Sequence, residues 1–478
     1  MQPMSPVDAL FLHAEDGVTH MHIGSCSIFA GPPPSIGDIT TLIESKLPLL
    51  TRYRQKVRFV PAGLGHPVWV DDPNFNLTYH VRHSALPSPG DEHDLENLMG
   101  RLMSQELDRS RPLWEVWVID GLPADRWALI SKVHHCMVDG VSGTDLMAVL
   151  LDIDRVTMPR PVEPWTPAPE PSDSALTLHA LGRLAMTPVH QLTAWRSAGM
   201  HPRQAWNQLT HVATGLRSLG ARLITPSRPT SIDGAIGAHR RWAAGRCSLD
   251  DVKAIRRAFG GSVNDVVLSV ISGAFRTMLI ECGDPVDDVV MRTLVPVSVR
   301  HRDDHTMNNQ VSLIIAELPV GIGDPVQRLE SVHQQMAELK ASHQVTAAEA
   351  AVNGAQFIPP VLFALGARAA MTMLRNVPQR IVNTVTTNVP GPQFPLYALG
   401  REMLEYLPFV PLSEGVPIGV AILSYNGHLS FGITGDFDAV QDVHVMAQHI
   451  EAEMTELRKQ AERHTLAVSG RRREVMAP

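Results

Sequence analysis

Four cysteines serve 478 residues, and no two of them form a CxxC pair. Cys26, Cys136, Cys247 and Cys282 lie far apart in the chain. That spacing excludes a zinc ribbon and a disulfide framework, and it fits a reducing interior. Long apolar runs are missing too. No window reaches about 18 uninterrupted apolar residues, so no transmembrane helix is expected and any membrane contact is peripheral. The opening, MQPMSPVDALFLHAEDG, has no basic start leading into an apolar core and does not read as a signal peptide. Lysine is scarce against arginine, and the net charge of −8 provides no broad basic field for nucleic acid. From Ser174 to Ile232 there is no aspartate or glutamate.

What is present reads as a folded protein of more than one core. Hydrophobic residues make up 44% and charged residues 19%, which argues against disorder. The length predicts two domains or a pseudo-symmetric pair. Residues 1–160 alternate short strands and helices. The proline-rich stretch TMPRPVEPWTPAPEPSD then opens a connecting region, 161–232. A second alternating domain follows over 233–462, and 463–478 read as a frayed tail. The acid-free part of the connection carries six arginines, from Arg183 to Arg228, among apolar residues at helical spacing. Two readings stand: a basic amphipathic helix lying on an anionic membrane, or crossover helices packed between the domains.

In the second domain Arg241–Ser248 reads as a strand. Ser248 with Asp250 and Asp251 starts a helix that Gly260 and Gly261 end. Ser262–Asp265 start another helix, apolar almost all round and so buried. Strands are predicted in VMRTLVPVSVR, VSLIIAELPV, IVNTVTTNVP and VPIGVAILSYNGHLSFGITGD, the last with a hairpin turn at Asn426-Gly427.

The chemistry gathers in KVHHCMVDG, Lys132 to Gly140. RWALISKVHH before it alternates like a half-buried strand, and VSGTDLMAVLLDI after it has a helical pattern that Ser142 and Asp145 would cap. His134 to Gly140 therefore form a strand-to-helix loop, with Gly140 allowing a sharp turn. The pair reads as metal ligands, as buried structural histidines, or as a general base with its support. Neighbouring strand residues point to opposite faces, which disfavours convergence on one metal, and no metal is expected. A neutral imidazole accepts a proton near pH 7. Asp139 fits a scaffolding role through an arginine. Cys136 as a nucleophile would be blunted by an apolar neighbourhood.

HHCMVDG resembles the HHxxxDG signature of chloramphenicol acetyltransferase-like enzymes, peptide condensation domains and bacterial wax ester synthase/diacylglycerol acyltransferases. Other segments favour the last family. PLWEVWVIDGL is similar to its PLW motif and SVNDVVLSVISGAFR to its ND motif. VPVSVR, NNQVS and TNVPGP resemble its later blocks in order, and SPVDALFLHAEDG resembles its opening. The resemblance runs from about residue 5 to about residue 460.

That resemblance implies an α/β fold of two chloramphenicol acetyltransferase-like subdomains, mixed sheets flanked by helices, with a tunnel between them. It implies acyl transfer from acyl-CoA to diacylglycerol or a long-chain alcohol, with His135 as base and no covalent acyl-enzyme. His134, Asp139 and Gly140 would support the loop, with Arg300 pairing Asp139. Asn264 and Asn388 are candidates for oxyanion or substrate contact. Their plainer roles would be a helix N-cap and a turn residue. Trp114 and Trp117 fit core packing, and the apolar stretch Gln356 to Val377 fits either a core helix or an acyl channel. No cofactor is implied beyond acyl-CoA as co-substrate. The expected location is cytoplasmic, peripheral at the inner membrane or lipid droplets. Two alternatives are a non-catalytic lipid-droplet protein and a condensation-type enzyme fed by a carrier protein.

Overall fold

A computed structural model describes residues 1–138, 146–156, 164–183, 229–287, 289–298, 311–341, 365–366 and 381–475. In the first half the order is β1 (Gln2–Pro3), α1 (Pro6–Ala14), β2 (His22–Ala30), α2 (Ile36–Lys46), β3 (Gln55–Arg58), β4 (Val68–Asp71), α3 (Leu77–His80), β5 (Val81–Ala85), α4 (Glu92–Met103), β6 (Trp114–Leu122), β7 (Arg126–His134) and α5 (Leu146–Leu150). A helix over 173–183, α6, follows. The second half holds β8 (Arg240–Ser248), α7 (Leu249–Phe259), α8 (Val263–Glu281), β9 (Met291–Ser298), β10 (Val311–Leu318), α9 (Pro325–Ala341), β11 (Thr384–Pro390), β12 (Tyr397–Ala398), β13 (Arg401–Phe409), β14 (Ile418–Tyr425), β15 (His428–Asp436) and α10 (Val443–Val475).

Two six-stranded mixed sheets, β12-β13-β2-β7-β6-β5 and β10-β9-β11-β14-β15-β8, organise the halves; a small sheet, β1-β4-β3, stands beside the first. The expected α/β class and sheet-bearing halves are what the chain forms. Local chemistry sets the boundaries. Ser248 caps α7 by accepting the Asp250 N–H (3.1 Å), and Gly260 and Gly261 end it with φ of +82° and +84°. Ser262 and Asp265 form a reciprocal capping box for α8. Asn426 and Gly427, with φ of +44° and +83°, close the β14–β15 hairpin.

α8 is long and apolar enough to cross a membrane, yet 72% of that stretch is buried inside the protein. It is the core helix that its all-round apolar pattern predicts. β7 departs from expectation. It alternates in sequence like a half-buried strand, but all its residues except Arg126 are buried. The reason is its central place in the sheet, between β2 and β6, with apolar clusters on both faces. Leu129 and Val133 pack into one cluster, Ala128 and Ile130 into the other.

The halves are not separate in the way a boundary at 233 suggests. β13, far down the second half, pairs antiparallel with β2 and completes the first sheet (Leu407 opposite Cys26). Trp242 Nε1 donates to Pro408 O (3.1 Å), and Gly432 lies so close beneath that a Cβ would sit 1.7 Å from that oxygen. β8, the edge strand of the second sheet, has three of its outward N–H groups taken by side chains. Arg240 donates to Ser104 Oγ (2.8 Å), Ala244 to Glu96 Oε1 (2.9 Å) and Arg246 to Glu451 Oε1 (2.7 Å). Two of these three acceptors belong to the first half.

The described part of the proline-rich connection is docked on the small sheet. Ala168 N donates to Asp71 Oδ2 (3.0 Å), and Glu170 and Asp173 pair with Lys56 and Arg58. Within α6, Leu176 and Ala180 pack against Val60, Val68 and Val70. The rest of the Arg-bearing segment, 184–228, lies outside the described residues, as does 356–364 and 367–377 of the apolar stretch. The expected tail from 463 is instead helix through Val475; its dense helix-formers and an i,i+4 pair, Arg458–Glu462 (2.8 Å), extend it.

Candidate active site

β7 delivers the histidine pair to the end of the first sheet. His134 closes the strand, its N–H donating to Leu113 O (2.9 Å). A 3-10 turn, His135–Met137, follows at once. His134 Nδ1 accepts the Cys136 N–H (3.1 Å), so the ring caps this turn and its remaining proton belongs on Nε2. Nε2 lies 3.4 Å from Glu15 Oε2, and both side chains are buried. Burial opposes ionisation of Glu15, but His134 and Arg109 outweigh it and hold the carboxyl at about 2. Arg109 binds that carboxylate at 2.7 Å. Glu15 also accepts the Met21 N–H (3.2 Å), and Met21 O accepts the His135 N–H (2.8 Å). One ionised carboxylate thus fixes both the first imidazole and the main chain facing the second.

His135 is only partly buried. Its ring stacks on Phe11 of α1, centroids 3.9 Å apart and planes at 20°. Nδ1 is closed from solvent and makes no hydrogen bond of regular geometry. Burial drives the imidazole down to about 4; contact with its own main chain, which favours the protonated form, opposes this only in part. The ring is therefore neutral at pH 7. Cys136 is buried, and burial raises its thiol well above the ordinary range, which leaves it unfit as a nucleophile. The two rings face different partners, His134 the Glu15 carboxylate and His135 the Phe11 ring.

Asp139, Gly140 and Arg300 lie outside the described residues, as do Ser142 and Asp145. Asn264 and Asn388 are brought together: Asn388 Nδ2 is 3.5 Å from Asn264 Oδ1. Neither fills its plainer role. The α8 cap is Ser262, leaving Asn264 inside the first turn, and Asn388 is a strand residue opposite Ile422 rather than a turn residue. Among the described residues neither amide hydrogen-bonds to a histidine of the pair. Asp265 is structural, in the capping box and 2.9 Å from His333. Trp114 is core, fully buried with Nε1 on Tyr53 O (2.8 Å); Trp117 is half-buried beneath Arg82. Sequence reasoning missed Glu15, Arg109 and Phe11. The signal available for two of them was the opening segment, SPVDALFLHAEDG, which holds Phe11 and Glu15.

Known proteins share this sequence pattern and this fold. The family described as "Wax ester synthase/diacylglycerol acyltransferase catalytic domain" matches residues 4–267, and "WS/DGAT C-terminal domain" matches 307–458. A protein of Mycobacterium tuberculosis (strain ATCC 25618 / H37Rv), "Probable diacyglycerol O-acyltransferase tgs1", is 36% identical over 463 residues, 94% of each chain. The solved wax ester synthase/diacylglycerol acyltransferase from Marinobacter aquaeolei VT8 superposes with a TM-score of 0.66 at 25% identity, covering 96% of this chain and 100% of that one. The first condensation domain of the calcium-dependent antibiotic synthetase shares the fold, with a TM-score of 0.58 at 15% identity and 96% of each chain covered. The chain belongs to the wax ester synthase/diacylglycerol acyltransferase family, and acyl transfer is its chemistry.

Proposed function

We propose that the chain transfers a long-chain acyl group from acyl-CoA to the free hydroxyl of diacylglycerol, and to long-chain alcohols, with His135 as general base. The observation that carries this reading is a neutral, partly accessible imidazole stacked on Phe11, with its main chain anchored on Met21 O. With Nδ1 closed off, Nε2 takes the alcohol proton as the hydroxyl oxygen attacks the thioester carbonyl. The new C–O bond gives a tetrahedral oxyanion. Its collapse breaks the C–S bond, expels CoA thiolate and lets Nε2 return the proton to sulfur. No acyl-enzyme is needed, in keeping with a Cys136 thiol that stays protonated. Asn264 and Asn388, one amide beside the other, are the proposed donors to the oxyanion or substrate. Asp139 and Arg300 are the proposed scaffold pair of the loop, and both substrates are proposed to meet in a passage between the halves.

The reading requires no cofactor. Diacylglycerol resides in lipid, and the proposed location is cytoplasmic, peripheral to the inner membrane or lipid droplets. The test is product analysis with palmitoyl-CoA and competing acceptors. Labelled triacylglycerol or wax ester is expected, and a His135→Ala protein should lose about 10²–10⁴-fold in turnover while keeping lipid association. No ester from either acceptor overturns the reading. Turnover only from a carrier-bound acyl group would favour the condensation-type alternative, and lipid binding without turnover the coat-protein alternative.

A further inference from the structure

The first turns of α4 and α10 meet on the outer side of the seam between the halves. His93 and Glu96 are three residues apart on α4 and share a face. His444 is the second residue of α10, its N–H held by Asp442 Oδ1 (2.8 Å). His93 Nδ1 lies 3.2 Å from His444 Nε2, and His444 Nδ1 lies 3.1 Å from Glu96 Oε2. One donor atom from each of the three falls within 4.8 Å of the others. Metal–nitrogen bonds of about 2.0–2.1 Å in a tetrahedral zinc site put nitrogen donors roughly 3.3 Å apart. The two imidazoles already stand at that separation.

We propose that His93, Glu96 and His444 form a binding site for a divalent transition metal of the zinc class, tying α4 of the first half to α10 of the second. Two imidazoles and one carboxylate suit zinc, cobalt or nickel rather than magnesium or calcium, which take oxygen donors. The carboxylate is supported from behind, since Glu96 Oε1 accepts the Ala244 N–H at 2.9 Å, the kind of outer contact that orients a ligand. Glu96 is mostly buried, with 12% of its side chain exposed. The nearby guanidinium of Arg246 is engaged elsewhere, by Glu405 Oε2 (2.6 Å) and Glu92 Oε2 (3.0 Å), and Arg126 also pairs with Glu92 (3.4 Å). Three carboxylates thus face two guanidinium groups here. His93 is exposed and His444 half-buried, which leaves the remaining coordination position open to water. The metal acts on the seam, apart from the histidine loop.

Metal-stripped full-length protein is titrated with Co2+ and followed by visible absorption, and its Tm is measured with and without ZnCl2. One equivalent of cobalt should give a four-coordinate d–d spectrum, and saturating zinc should raise Tm by about 3–5 °C. Both responses should vanish in the His93→Ala/His444→Ala protein, and Glu96→Gln should weaken cobalt binding at least tenfold. If the double variant does not fold, His93→Gln, on an exposed side chain, replaces it. Each metal-free variant should retain wild-type acyl transfer. No saturable response in the parent protein overturns the site, and so does an unchanged spectrum in the variants, which would assign the metal to other histidines.

Discussion

A histidine that ends a strand and caps the next turn has no freedom left for chemistry. His134 is in that position, with Nδ1 on the Cys136 N–H and Nε2 against Glu15. His135 is the opposite case, a ring stacked on Phe11 with no hydrogen bond of regular geometry at Nδ1. Burial lowers its pKa to about 4, so the free base is present throughout the neutral range. The rate should therefore fall only as pH drops through about 4, when the imidazole takes up a proton before substrate can supply one. A kcat/KM profile on free enzyme should be flat from about pH 5.5 to 8. A midpoint near 6.5 would mean that the ring is solvated or that another group limits the reaction. The motif was legible because adjacent histidines, an aspartate and a glycine between strand and helix patterns are a dense signal. Glu15 and Arg109 were not, because their contact joins residues 94 apart in sequence, and spacing carries no trace of such a pair.

At the level of elements, the helix boundaries of the second half could be read from serine, aspartate and glycine because capping is local chemistry. Sheet order could not be read. Nothing in REMLEYLPF announces that β13 leaves its own half to pair with β2; only the partner strand reveals it. Burial of β7 on both faces escaped for the same reason, since its second cover comes from α4 and its neighbours. Where β15 passes under β13, Gly432 admits the Pro408 carbonyl, which a Cβ would meet at 1.7 Å. The obstacle is backbone rather than a flexible side chain, so Gly432→Ala should destabilise by about 2–4 kcal/mol. Urea denaturation should show this as a lower midpoint at unchanged m. A midpoint within error of the parent would mean that the two sheets separate easily at this crossing.

Taken whole, the molecule buries His20, His22 and His80 and partly encloses His135. His20, His80 and His135 are each held near 4 chiefly by burial, and His22 lies well below its usual range for the same reason. In each case the folded pKa is below the unfolded value of about 6.5, so the unfolded chain binds more protons between pH 4 and 6.5. Stability is then full above pH 6.5 and lost as pH falls toward 4, each group adding up to about 1.4 kcal/mol per pH unit. Glu15 acts lower, its contribution present above about 4.5 and lost toward 2. Thermal melts from pH 7 to 4.5 should show Tm falling steadily with proton uptake on unfolding. A Tm level across that range would contradict the burial of these rings.

The edge of β8, with outward amides stoppered by Ser104 and Glu96 from across the boundary, bears on how the proposed lipid substrate would get in and out. Prising the protein apart there would strand main-chain donors in a dry place, so that flank behaves as a welded spine. If the proposed passage between the halves widens to admit a second fatty chain, it widens away from that flank, like a book that opens only along its fore-edge.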